Sequence, residues 1–91
     1  MRIPLADIRY LDVRCNYVTV HADRDYTVKR PLGEFEAELG DGFCRVGCAM
    51  IVNLRRIRYV GRSSVQLTDG TTLPLLRGAY EPLNRAIIDQ T

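Results

Sequence analysis

Cys15, His21, Cys44 and Cys48 supply a possible Cys₃His set, which is a structural zinc chemistry. Their spacing argues against it. If Cys44 to Cys48 is extended, the four-residue step spans ~13 Å, far more than two ligands at ~2.3 Å from one ion tolerate. Three cysteines with no Cys-x-x-Cys pair also make a poor disulfide framework, so reduced thiols, no metal and no cofactor are expected. His21 stands beside Asp23 and Asp25, yet it is the single histidine of the chain. No Gly-rich phosphate loop or His-Glu-x-x-His accompanies it, so nucleophile, base and orienting group cannot be assembled and an enzyme is not expected.

The cations carry more information. Twelve of the thirteen are Arg, whose planar fork matches phosphates and guanine edges. Residues 1–44 hold six basic and eight acidic side chains, a balance of −2, whereas residues 45–91 hold seven and three, a balance of +4. A basic second half favours a polyanionic partner, although such a surplus is also common on solvated faces. Arg55, Arg56, Arg58 and Arg62 form a basic run suited to phosphates, or equally a charged strand edge that resists aggregation.

These residues must be held by short strands. Ile8, Tyr10 and Leu11–Val13, then Tyr17–Val20, then Tyr26–Val28 are β-branched or aromatic runs, broken at Arg14-Cys15-Asn16 and Asp23-Arg24-Asp25. Asp69-Gly70 between Val65–Thr68 and Thr71–Leu73 suits a two-residue type I′ hairpin, and Pro74 ends the second arm or confines it to an edge. Two segments break the alternation. Leu32, Phe35 and Leu39 share one helical face after Pro31, and Tyr80, Leu83 and Ile87 repeat that period near the C-terminus. The expected fold is mainly β: a small sandwich of short antiparallel strands with one short helix in mid-chain and one at the end.

Ninety-one residues make a single domain, spanning residues 1–91, with one modest core. No apolar run approaches the ~18 residues of a spanning helix, and the N-terminus lacks the apolar centre of a signal peptide, so a cytoplasmic location without membrane insertion is expected.

Phe43 to Ile57 resembles the core signature of the LytTR family of bacterial DNA-binding domains: Phe, any residue, Arg, an apolar residue, His, Arg or Asn, Ser, an aromatic, Ile or Val, Val-Asn, and an Ile four residues on. Phe43, Arg45, Val46, Ile51, Val52, Asn53 and Ile57 match, while Gly47, Cys48, Ala49 and Met50 depart. Asn16-Tyr17 matches the family's first loop and Pro31-Leu32 the pair that opens its helix. Asp69-Gly70, Leu73-Pro74 and Arg77 match its closing run, with Leu76 where the family has Ser. The resemblance extends from Ile8 to about Ile88.

The resemblance implies a sequence-specific module of a bacterial transcriptional regulator, working in response-regulator signal transduction. Such a module inserts loops into the major groove of double-stranded DNA, two copies on repeated sites, with a homodimer among the arrangements that supply them. Carried over by residue, base contacts fall to Asn16, Tyr17, Cys48 and Arg77, with phosphates offered Arg45, Arg55 and Arg56. Arg77 can fork onto guanine and Asn16 can pair with adenine. The middle loop has lost donors: glycine has no side chain, a thiol donates weakly, and one lost bidentate contact is worth ~1–3 kcal/mol. That loss supports an alternative, a degenerate LytTR-like interaction or dimerisation module with weak DNA binding or none. Tyr17 could instead be a packing residue and Asn16 a turn residue. Asn53 is expected to satisfy backbone groups rather than touch DNA.

Overall fold

The computed structural model describes residues 4–46, 49–75 and 78–90. Apolar residues at alternate positions fold the first half into strands β1 (Tyr10–Arg14), β2 (Tyr17–His21) and β3 (Asp25–Val28). After helix α1 (Leu32–Leu39) come β4 (Phe43–Val46) and β5 (Met50–Asn53). A 3₁₀ turn, Leu54–Arg56, leads into β6 (Ile57–Val60), β7 (Ser64–Leu67) and β8 (Thr72–Pro74), and α2 (Tyr80–Gln90) closes the chain.

Every strand pairing is antiparallel. Five strands form one sheet in the order β3-β2-β1-β5-β4, and three form a second in the order β6-β7-β8. The larger sheet is buried on both faces where it is central. Adjacent Ile51 and Val52 of β5 are each 0% exposed, because Ile51 joins Leu11, Val18 and Val20 against Leu32 and Leu39 of α1. Val52 faces the other way, joining Val46, Val65, Leu67 and Leu73 together with Leu83 of α2. A continuous apolar run such as Met50-Ile51-Val52 is what a strand covered on both sides requires. The architecture is therefore α1, five-stranded sheet, then three-stranded sheet with α2, as the alternations and the two helical periods imply.

One turn differs from expectation. Only Gly70 takes a positive φ, +93°, while its N–H donates to the Leu67 carbonyl at 3.0 Å and Leu67 N–H donates to Thr71 at 2.8 Å. The loop is thus three residues with a left-handed glycine last, rather than a two-residue type I′ pair. The Asp69 carboxylate holds it by accepting from the Thr71 N–H and hydroxyl, both at 3.0 Å. The two-residue hairpin lies elsewhere: Arg14 pairs with Tyr17 across Cys15 (φ 49°) and Asn16 (φ 70°), the two positive angles that type I′ demands.

Candidate nucleic-acid interface

Strand direction sorts the connections between two ends of the domain. At one, here the loop end, lie the Cys15-Asn16 turn, the residues leading from β3 to α1, and the connection from β4 to β5. At the other, the Arg9 guanidinium pairs with the Asp69 carboxylate and donates to the Ala22 carbonyl at 2.9 Å, while Thr68 N–H donates to Arg56 at 2.7 Å. The Asp69 turn therefore closes against the start of β1, and the β6–β7 turn occupies the opposite end of its sheet. Leu75 N–H donates there to the Ser63 carbonyl at 2.9 Å, and the Arg62 guanidinium lies 5.8 Å from the Tyr80 ring centre. Leu75 and Tyr80 both lie beside that turn.

Asn16 is exposed at the tip of the first hairpin, in a left-handed conformation that asparagine adopts more readily than most residues. Its side chain has no hydrogen-bond partner among the described residues, so a turn role and an unpaired amide coexist. Tyr17, the next residue, is 49% exposed, which leaves about half of its surface open to a partner. Arg14 stands directly across from it. That second exposed donor follows from the hairpin register and was not singled out by residue type.

The β4–β5 connection lies alongside. Val13 N–H donates to the Ala49 carbonyl at 2.9 Å, extending the β1–β5 ladder toward the Asn16 turn. Ala49 is exposed, and Gly47, Cys48 and Arg77 lie outside the described residues.

The three arginines expected at phosphates are not together. Arg45, on β4, lines a groove with Asn16 and Lys29 at the loop end, and its Nη1 lies 3.4 Å from Oε1 of Glu36. Arg55 and Arg56 follow the other end of β5, beyond a run of ~13 Å from Ala49 to Asn53. The Arg56 side chain is committed there, donating to the Ala6 carbonyl through Nε at 3.0 Å and through Nη2. A 3₁₀ turn, not a strand, carries both residues, at the end of β5 opposite the Asn16 turn.

Asn53 explains why that turn forms. It is 4% exposed; its Oδ1 accepts from Arg55 N–H at 3.0 Å, and its Nδ2 donates to the Ile8 carbonyl at 2.7 Å. The amide knots the end of β5 to the chain entering β1, the structural role expected of it; leaving such a buried group unpaired costs about 1–3 kcal/mol.

Other reactive groups are also accounted for. Burial, with a smaller push from Glu36, raises the Cys44 thiol above its ordinary range and keeps it protonated, hence a poor nucleophile. His21 stacks on Tyr10 with ring centres 4.1 Å apart, its Nε2 3.0 Å from Asp12 and its Nδ1 3.2 Å from Asp25. It braces three neighbouring strands, and its Asp partners come from β1 and β3 rather than from Asp23.

A mainly β domain that fastens neighbouring loops at one end, with amide, phenol and guanidinium groups exposed around them, defines a loop-presenting recognition module. Comparison with known proteins gives the particular family. The family model described as the LytTr DNA-binding domain matches residues 1–88. Among solved structures, the chain is similar to the LytTr DNA-binding domain of a protein described as a methyl-accepting/DNA response regulator from Bacillus cereus. The TM-score is 0.79 at 25% identity, over 97% of this chain and 86% of that one. No curated protein matches. The chain belongs to the LytTR family of DNA-binding domains.

Proposed function

We propose that this domain is a sequence-specific duplex-DNA-binding module of a bacterial transcriptional regulator, placing its loop end in the major groove. The observation that carries this reading is the backbone bond from Val13 to Ala49, which fixes two loops side by side in a domain of this family. Asn16, Tyr17, Cys48 and Arg77 are the proposed base contacts. Arg45 is the proposed phosphate contact retained from the sequence, with Arg14 added beside it; Arg55 and Arg56, at the other end, are assigned no contact to the same duplex. Two copies on repeated sites would each read one groove segment, as a homodimer or as separate domains side by side. No catalytic activity is assigned, in keeping with a family whose members bind DNA. No helix among the described residues is long and apolar enough to cross a membrane, which is compatible with work in the cytoplasm.

Titration against random-sequence duplex at several salt concentrations tests the proposal, since phosphate contacts must give a negative slope of log affinity on log salt. Arg77→Ala on a selected site should then weaken binding by ~1–3 kcal/mol and flatten preference at one position. A folded protein with no salt-dependent binding would favour the interaction-module alternative, for which the small, donor-poor run Gly47-Cys48-Ala49 is the ground.

A further inference from the structure

Beside the Asn16 turn, the segment joining β3 to α1 and the outer strand β4 enclose a groove of about 450 Å³. Asn16, Lys29, Arg30 and Arg45 line it, over an apolar floor that includes Val13 and Leu32. Three cations meeting in one concavity need counter-charge, and α1 supplies it unequally. Arg30 is held firmly: its Nε lies 3.0 Å from Glu34 and its Nη2 2.8 Å from Glu38, while the guanidinium sits 4.5 Å over the Phe35 ring centre. Those carboxylates, Glu38 foremost, raise its pKa further above an already high value. Arg45 also faces α1, its Nη1 3.4 Å from Glu36, a long separation between two partly exposed side chains. A charge-assisted pair at its best measures about 2.7–2.9 Å, and an exposed pair is worth only ~0–1 kcal/mol. Among the described residues no carboxylate pairs with Lys29, which is exposed at the lip.

We infer that this groove is a phosphate site for the duplex backbone, in which Lys29 and Arg45 take the phosphate, Arg30 forms a fixed wall, and Glu36 competes with the phosphate for Arg45. The inference rests on the DNA-binding reading and extends it in two ways. It assigns a contact to Lys29, whose sequence context carries no signal for it, and it makes an acidic side chain of α1 a brake on affinity. The site is one hairpin turn away from Asn16, so a phosphate held there would fix the register of the base-reading tip without itself reading sequence.

The test uses the whole chain and random-sequence duplex across a range of salt, with folding checked by circular dichroism. Lys29→Ala should reduce the magnitude of the salt slope by about 0.9 and weaken binding roughly five- to tenfold near ~0.1 M salt. Glu36→Gln should tighten binding about two- to fivefold, the range an exposed pair commands. Because removing any carboxylate raises net charge, Asp89→Asn in the last turn of α2 serves as an equal-charge control and should leave affinity unchanged. In an Arg45→Ala background, Glu36→Gln should have no effect, since the two act through one another. Salt-dependent binding by the parent with Lys29→Ala indistinguishable from it would overturn the phosphate site while leaving DNA binding intact. Equal tightening by Glu36→Gln and Asp89→Asn would overturn the brake. A parent that binds no duplex would bring down both readings.

Discussion

Val13 and Ala49 are joined backbone to backbone at 2.9 Å, where β1 runs out toward its turn and the chain enters β5. The ladder between these strands pairs Tyr10 with Val52, Leu11 with Ile51 and Asp12 with Met50, so this bond carries it one step further into the loops. Two connections nearly thirty-five residues apart in sequence are thereby set at a fixed spacing by a rigid central sheet. Recognition loops gain most from such support, because ordering that is present before binding need not be supplied by the ligand.

Asn16 has two separable tasks, and two substitutions divide them. Its φ of 70° favours glycine or asparagine, so Asn16→Gly should fold with stability close to the parent yet lose the amide, weakening binding to a preferred site by ~1–3 kcal/mol. Asn16→Ala should lose the same affinity and destabilise the hairpin by a further ~1–2 kcal/mol, since Cβ crowds the carbonyl in a left-handed residue. Urea unfolding beside DNA titration reads both effects. Full affinity in the glycine variant would reduce Asn16 to a turn former.

Asp69 predicts a pH dependence at the other end. The Thr71 backbone N–H, helped by the Arg9 side chain, lowers its carboxyl from an ordinary 3.8 to about 2. A depressed carboxyl contributes stability above its unfolded value and loses it as pH falls through its folded one. Asp69→Asn should therefore be less stable than the parent at neutral pH, and the difference should shrink between about pH 3.8 and about pH 2. The group is largely solvated, so an effect under ~1 kcal/mol is expected. Urea midpoints that run parallel for the two proteins across this window would show that the turn does not depend on the ionised carboxylate.

Much of this fold is legible in local pattern, because burial imposes a period wherever an element has one apolar face. Leu32, Phe35 and Leu39 announce α1 at its observed ends, and Tyr80, Leu83 and Ile87 announce α2, which runs on past Ile87 to Gln90. Turn chemistry is harder to read. Asp69-Gly70 marks the right place, but the Asp69 carboxylate is used on Thr71 and only the glycine becomes left-handed; Cys15, which has no turn preference, takes a positive φ instead. The site is legible only in part. Asn16 and Tyr17 are exposed together because they are adjacent, whereas Arg45 and Arg55, ten residues apart, reach opposite ends because Asn53 ends β5 and turns the chain. Lys29 meets Arg45 through sheet order and the packing of α1, which local pattern does not encode.

Cys48 offers the sharpest test of the loop end. The neighbouring Ala49 is exposed and bonded to Val13, so a longer side chain one position earlier enters a connection already braced beside Asn16. Cys48→Arg replaces a weak donor with a five-donor fork suited to guanine or phosphate. If this connection faces the duplex, binding should tighten by ~1–3 kcal/mol for a productive base contact, and preference at one position should sharpen. A gain equal on all sequences, with a salt slope steeper by about 0.9, would instead mean that the new arginine meets a phosphate. Gly47 is left unchanged so that the effect belongs to position 48 alone. Stability should stay within ~0.5 kcal/mol of the parent, the usual range of a surface substitution. A variant that folds like the parent and binds no more tightly on any sequence would place the β4–β5 connection away from the DNA and leave recognition to the Asn16 hairpin and Arg77.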